Sequence, residues 1–404
     1  MKYVILIGDG MSDLPLKELG GKTPLEVAKT PTLDYLAKHG TCGWTSNVPK
    51  GLTPGSDVAA MSIFGYDPQK YYTGRGPLEA ASLGVKIKKG DIAFRCNLVT
   101  IKDGKMADFT AGHIDTPEAK IIIKSLDKRL GSNVIRFYPG LSYRHLMLIR
   151  DRTLKSVEGL KCFPPHDITQ KLIENYLPSG TADKLLKYLM KESIMILLEH
   201  PVNFERIKKG QKPANMIWLW GAGELPNLKP FKKQYGKSAA VITAVHLIKG
   251  LGKILGMENI KVPGVTGYLD TNYIGKATYA LRALKKNDLA IVHVESPDET
   301  GHMGDLKGKI KAIEDFDSKV VKTVLDGLQK SGEDFRILVL PDHPTPIAKM
   351  THTSDPVPFA LFESKNVKSG KINGFSEKEF KKTKTYVKAG YKLMSCLLAK
   401  KISL

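Results

Sequence analysis

The chain reads as an α/β protein with a mostly parallel sheet flanked by helices, interrupted by a smaller α+β insertion. Three observations predict this. Short apolar runs alternate with helical patterns at both ends of the chain, the runs show no polar alternation, and several lead straight into loops carrying Asp, His or Ser. An unbroken apolar run marks a strand buried on both faces, and alternation with helices implies right-handed crossovers between parallel strands.

Residues 3–8 (YVILIG) form the first such run, ended by Gly8-Asp9-Gly10. Thr30 then opens a capped helix over 30–39 with Pro31 in its first turn. After the turn TPGS (53–56), residues 57–65 form a short helix. The C-terminal third repeats the alternation, with strands at 240–245, 259–264, 288–295 and 335–342. Helices fall between them at 247–257, 272–286 and 307–330. The middle differs: 92–109 is a hairpin around Asp103-Gly104, followed by a helix over 117–130, an apolar strand pair within 134–150 and a helical stretch over 182–200. Ligand-type residues at strand ends do not recur there. The expectation is therefore one site-bearing domain from 1–80 and 231–404, with 81–230 inserted as a substrate-binding cap.

A chain of 404 residues exceeds what one hydrophobic core serves, and 42% apolar residues suit a globular protein. The apolar run VILI near the N-terminus is too short for a secretion signal, and no stretch approaches the roughly 18–20 residues of a membrane span. Cys42, Cys96, Cys162 and Cys396 lack C-x-x-C spacing, so reduced thiols in the cytoplasm are expected. The net charge of +21 would suit nucleic acid or an anionic small molecule. Pairs such as Lys88-Lys89, Lys208-Lys209, Lys232-Lys233 and Lys285-Lys286 sit at element ends without interleaved aromatics, which favours a solvated basic surface and a small anionic partner over a nucleic-acid groove.

Asp9, Ser56, Asp298, His302, Asp342, His343 and His352 carry the chemistry. Asp9 lies between two glycines that let the backbone turn sharply. Ser56 begins a helix, where unpaired N–H groups favour an anion, although a serine there also suits an ordinary cap. Asp298 and His302 in HVESPDETGHMGD are four residues apart, one helical turn, and can face one ion. Asp342 and His343 end the last strand, and His352 follows nine residues later in a Pro- and Thr-rich loop that returns it to them. Carboxylate and imidazole ligands suit manganese first, with zinc, cobalt or magnesium as alternatives. Together they describe a two-metal enzyme acting on phosphate esters.

These segments resemble the archaeal-type cofactor-independent phosphoglycerate mutases of the alkaline phosphatase superfamily. The resemblance runs almost the whole length, through ILIGDGMSD, LTPGSDVAAMSIFGYDP, YYTGRGPLEA, FRCNL, AGHI, YPGLSYRH, PPHDI, WGAG, VPGVTGYLDTNYIGK, HVESPDETGHMGD, PDHPTP and THTSDPVPF. It implies an alkaline-phosphatase-like sheet, with one ion held by Asp9, Ser56, Asp342 and His343 and another by Asp298, His302 and His352. It implies an isomerase of glycolysis and gluconeogenesis that interconverts 3- and 2-phosphoglycerate through phosphorylated Ser56. Matching segments offer Arg75, Arg95, Asn97, His113, Arg144, His145, His166 and Asp167 as substrate contacts. His113 or Asp167 would shuttle the proton between hydroxyls, and Lys249 would neutralise the transferring phosphoryl group. His39, His200 and His246 have no ligand-type neighbours and read as structural. A related phosphomutase or phosphatase, or a homoserine-kinase-like relative, is the alternative; no G-x-x-x-x-G-K-[ST] segment is present to cradle a nucleotide.

Overall fold

The computed structural model describes residues 1–150, 157–367, 370 and 372–402. The chain divides into two compact units, Met1–Tyr72 with Leu228–Leu404, and Thr73–Asn227. The sequence reading set the breaks near 80 and 230; the first falls earlier because the helix Arg75–Leu83 packs on the strands Ile92–Lys102 and Met216–Glu224 of the second unit.

The first unit is built on an eight-stranded sheet. Its order is Tyr386–Val387, Thr41–Thr45, Val357–Glu363, Phe335–Leu340, Lys2–Gly8, Leu289–Val294, Ala239–Ile242 and Glu258–Asn259. Lys2–Gly8 lies at the centre, parallel to both neighbours, with Ile7 level with His293 on one side and Leu340 on the other. This register puts Asp9, Glu295 and Asp342 at one level just past three adjacent strand ends. Loops at carboxyl ends of parallel strands are where open α/β sheets keep their ligands. The strand Val357–Glu363 runs antiparallel to both its neighbours, which makes the sheet mixed. Of the run 259–264, only Asn259 joins a strand; after Ile260 N–H bonds Val241 C=O, Pro263 has no donor to continue the ladder.

Two helix details depart from the sequence reading. Thr30 occupies the cap position of the helix Pro31–His39 but makes no capping bond, because buried Asp317 accepts from Thr32 N–H at 3.3 Å and Leu33 N–H at 2.6 Å. The cap is supplied 284 residues away. The helical pattern over 307–330 is three segments, Leu306–Asp315, a π-helical turn Phe316–Val321 and Lys322–Ser331, and the turn carries Asp317.

The second unit has its own core around an antiparallel sheet. Ile92–Lys102 is flanked by Lys105–Asp108, Arg144–Ile149 and Met216–Glu224, and Ile135–Leu141 pairs with Arg144–Ile149. Helices Thr116–Leu130 and Asp183–Leu198 bury Ala119, Ile122, Ile123, Leu126, Leu186 and Met190 into that core. The strand Met216–Glu224 was not anticipated. Among the described residues no helix is long and apolar enough to cross a membrane, and all four cysteines are free thiols.

Candidate functional site

Ser56 is the first residue of the helix Ser56–Ile63, with Gly55 in the cap position, so its hydroxyl is not used as a cap. Ser56 Oγ lies 3.4 Å from Asp9 Oδ2 and 3.3 Å from His343 Nε2. His343 Nε2 is also 3.6 Å from Asp9 Oδ1 and 3.4 Å from Asp342 Oδ2. Donor atoms 2.0–2.2 Å from a tetrahedral ion sit about 3.4 Å from each other. These four residues have that spacing.

Hydrogen bonding around them leaves the inward-facing atoms unused. Asp342 Oδ1 accepts from Gly10 N–H and His343 N–H, at 3.1 and 2.8 Å. Asp342 Oδ2 and Asp9 Oδ1 have no partner although both side chains are almost fully buried. His343 Nδ1 faces Thr345 Oγ1 at 3.3 Å, and that hydroxyl donates to Asp298 Oδ1, so the ring proton belongs on Nδ1 and Nε2 keeps its lone pair. Burial takes the His343 imidazole down to about 4, keeping it neutral. Orphaned buried carboxylate oxygens beside a neutral imidazole fit a divalent cation.

A second group adjoins the first. Asp298 and His302 lie on the helix Ser296–His302, with Asp298 Oδ2 3.3 Å from His302 Nε2 and Oδ1 3.3 Å from His352 Nε2. The two Nε2 atoms are 2.9 Å apart. His302 Nδ1–H donates to Met350 C=O at 3.0 Å, which turns Nε2 toward Asp298 and His352. Asp298, His343 and His352, and separately Asp9, Asp342 and His343, each present atoms within 4.8 Å of one another and could hold a metal.

The charges agree with this. Burial, then Asp342 and Asp298, push Asp9 well above the usual carboxylate range. Burial would also raise Asp342, but His343 and His293 hold it at about 2. His302 is drawn up to about 9 because Asp298 outweighs the effect of burial. A cation among these groups would relieve the carboxylate repulsion that raises Asp9.

Gly10 makes the approach possible. Its φ is +61°, and a Cβ there would meet Thr345 Oγ1 at 2.6 Å and Asp298 Oδ1 at 2.7 Å.

In the second unit, Trp220 gathers several of the expected substrate contacts. The guanidinium carbons of Arg95 and Arg75 lie 4.6 and 5.5 Å from its ring centre, and His166 meets it edge-on at 5.5 Å. Its indole N–H donates to Asn97 Oδ1 at 3.1 Å. Arg95 is buried with an unpartnered Nε, 3.8 Å from Glu79 Oε2. Arg144 is exposed over Tyr143, and Asp167 is exposed beside His166. His145 is fully buried, with Nδ1 accepting Gly140 N–H at 3.0 Å. His113 is exposed with φ of +51°, a conformation uncommon for non-glycine residues.

The family model for 2,3-bisphosphoglycerate-independent phosphoglycerate mutase matches residues 37–203. A protein of that name from Methanosarcina barkeri is 53% identical over 382 residues, covering 95% of each chain. The chain belongs to this family. A probable member from Geobacter sulfurreducens is 46% identical, covering 98% of this chain and 100% of its own. Among solved structures, the PH0037 protein from Pyrococcus horikoshii superposes with a TM-score of 0.82 at 29% identity, covering 100% of this chain and 99% of that one. A cofactor-independent phosphoglycerate mutase from Thermoplasma acidophilum gives 0.65 at 27%, covering 98% and 99%.

Within this family member, several polar residues around the strand ends escaped sequence reasoning. Fully buried Lys309 donates to Asp13 Oδ2 at 2.7 Å and Thr345 C=O at 2.8 Å, pinning the loops after two strands. His293, Glu295 and Lys276 form a second buried set. The available signal was the alternation His293-Val294-Glu295, which sets two polar residues at period two in a buried strand end. Lys249 is half-buried on the helix His246–Ile254; burial lowers its pKa while Glu295 opposes the fall.

Proposed function

We propose that the protein interconverts 3-phosphoglycerate and 2-phosphoglycerate without added bisphosphoglycerate, through a phosphoserine on Ser56. The carrying observation is the Ser56 hydroxyl, uncapped and 3.3–3.4 Å from His343 Nε2 and Asp9 Oδ2 beside unpartnered buried carboxylate oxygens.

Asp9, Ser56, Asp342 and His343 would hold one divalent ion and Asp298, His302 and His352 the other, manganese being our first choice. Bound there, the ions supply charge neutralisation for the phosphate and acidify the serine hydroxyl. Ser56 Oγ attacks phosphorus, its O–P bond forming as the ester O–P bond to glycerate breaks, and the departing alkoxide takes up a proton. The other glycerate hydroxyl then loses a proton and attacks phosphoserine, restoring Ser56. Helix N–H groups behind Ser56 favour the phosphoryl charge. Lys249, half-buried, adds a positive charge.

We assign substrate recognition to the second unit. Arg75, Arg95 and Arg144, with Asn97 and His166, supply guanidinium forks and donors for carboxylate and phosphate. His113 or Asp167 carries the proton between the glycerate hydroxyls. His145 supports the Gly140 turn by its Nδ1 bond, which suits a positioning role for the adjacent Arg144.

A coupled assay tests this reading directly. Formation of 2-phosphoglycerate from 3-phosphoglycerate, dependent on a divalent ion and faster than release of inorganic phosphate, is expected. Phosphate release as the main product would make the protein a phosphatase and end the mutase reading.

A further inference from the structure

His293 sits at the end of the strand Leu289–Val294, fully buried and level with Ile7 of the central strand. Its Nδ1 is 3.3 Å from Glu295 Oε1, and its Nε2 is 3.4 Å from Asp9 Oδ2 and 3.9 Å from Asp342 Oδ2. That Nε2 has no completed hydrogen bond. Glu295 is held from every side. Oε1 accepts from Thr243 Oγ1 at 2.8 Å and Ala244 N–H at 2.6 Å, while Oε2 pairs with Lys276 Nζ. Lys276 also donates to His293 C=O at 2.8 Å and has no exposed surface.

Such a set is costly for mere stability. A buried Lys–Glu pair recovers its desolvation only when further hydrogen bonds satisfy it, and apolar side chains of similar size often serve as well. Here both members of the pair make further hydrogen bonds, and the ring beside them faces the carboxylates of Asp9 and Asp342.

Building on the metal-binding reading, we propose that His293 is a positioning residue for the metal centre, orienting Asp9 from behind. Glu295, locked by Lys276 and the Thr243-Ala244 turn, fixes the ring plane through Nδ1. Nε2 then engages Asp9 Oδ2 and leaves Oδ1, the unpartnered oxygen 3.6 Å from His343 Nε2, free for the ion. The arrangement is an outer shell on the Asp9 side, separate from the seven assigned ligands. Outer partners of this kind change metal affinity by about 10–100-fold when removed.

The test is Mn2+ titration of the full-length, chelator-stripped protein by calorimetry, with the melting temperature of each metal-free variant recorded alongside. His293→Leu should weaken one Mn2+ equivalent by about 10–100-fold and spare the other. His293→Gln, whose amide N–H can reach Asp9, should recover most of that loss. Glu295→Gln should weaken the same equivalent less, and it keeps the test decisive if the leucine variant does not fold. Wild-type affinity at both sites in His293→Leu overturns the proposal, as does equal weakening of both with a lowered metal-free melting temperature. Absence of Mn2+ binding to the wild type is a different result: it removes the metal reading on which the proposal stands.

Discussion

The two units hold opposite charge problems. In the first, Asp9, Asp298 and Asp342 crowd together at strand ends, two of their buried oxygens have no partner, and Asp9 is pushed toward its protonated form. In the second, Arg75, Arg95 and Arg144 lie near enough that the other two lower the Arg95 pKa, after burial itself, with Glu79 the opposing carboxylate. A cluster with excess negative charge asks for a cation, and one with excess positive charge asks for an anion. Trp220 lets the arginines be close by offering its π-face to two of them. In the first cluster the group between the carboxylates is the His343 imidazole, whose Nε2 presents a lone pair and not a π-face. Its ligands therefore depend more on what binds, and their removal has the larger consequences.

Ser56→Ala is the sharpest way to break the contrast. It removes one oxygen at a helix start, where Gly55 already occupies the cap position, so the fold is expected to hold. Phosphoryl transfer should fall by roughly 10^4-fold or more, the scale seen when a nucleophile is deleted. Substrate binding to the second unit should survive. Turnover in the coupled assay, with circular dichroism for the fold, reads both; retained activity would remove Ser56 from the mechanism.

Chelation comes next. EDTA should abolish turnover and Mn2+ should restore it. Mn2+ at 100 times its dissociation constant should add about 2.7 kcal/mol to stability, visible as a raised melting temperature. The negative cluster predicts this rise, and an unchanged melting temperature with full activity in chelator would contradict it.

How much of this contrast was legible in the sequence depends on the distance over which each interaction acts. Alternating apolar runs placed the strands Lys2–Gly8, Leu289–Val294 and Phe335–Leu340 within a residue or two. Asp9, Asp342 and His343 stood out because they follow such runs directly, Asp298 and His302 because they lie one helical turn apart just after another, and Ser56 and His352 by their helix start and return loop. Long-range partners left no local trace. Asp317 capping Leu33 across 284 residues, or Lys309 holding Asp13, looks like an ordinary helix charge in the sequence. The strand Val357–Glu363, antiparallel to both neighbours, was not anticipated at all, although its run VPFALFE is as apolar as the parallel strands. Trp220 showed only as a motif letter, since its neighbours Arg75, Arg95 and His166 come from three separate segments.

Arg95→Met tests the positive cluster with a smaller effect. The side chain keeps much of the apolar stem and loses the fork that lies over Trp220. KM should rise by about 10–100-fold, since a charged hydrogen bond contributes about 1.5–3 kcal/mol, while kcat changes less. An equal fall in kcat at unchanged KM would move Arg95 from substrate binding to the transition state. Arg144→Ala, on an exposed residue, should raise KM by less.

The mildest prediction concerns His145, which lies in the positive cluster's unit yet is kept neutral. Burial lowers its pKa to about 3, against an ordinary value of 6.5, and its Nδ1 accepts Gly140 N–H. The sign follows from the unfolded chain. Below pH 6.5 the unfolded histidine takes up a proton that the folded one refuses, so stability is complete above 6.5 and declines as pH falls toward 3, at up to about 1.4 kcal/mol per pH unit. His145→Asn keeps an acceptor near the Gly140 turn and removes the titration. The variant should be less stable than wild type at pH 7, and the gap should narrow by pH 4.5 in urea unfolding at the two pH values. A constant gap would mean that the fold leaves the His145 pKa unshifted, so that below about pH 6.5 the ring joins the arginines as a further positive charge instead of standing apart from them.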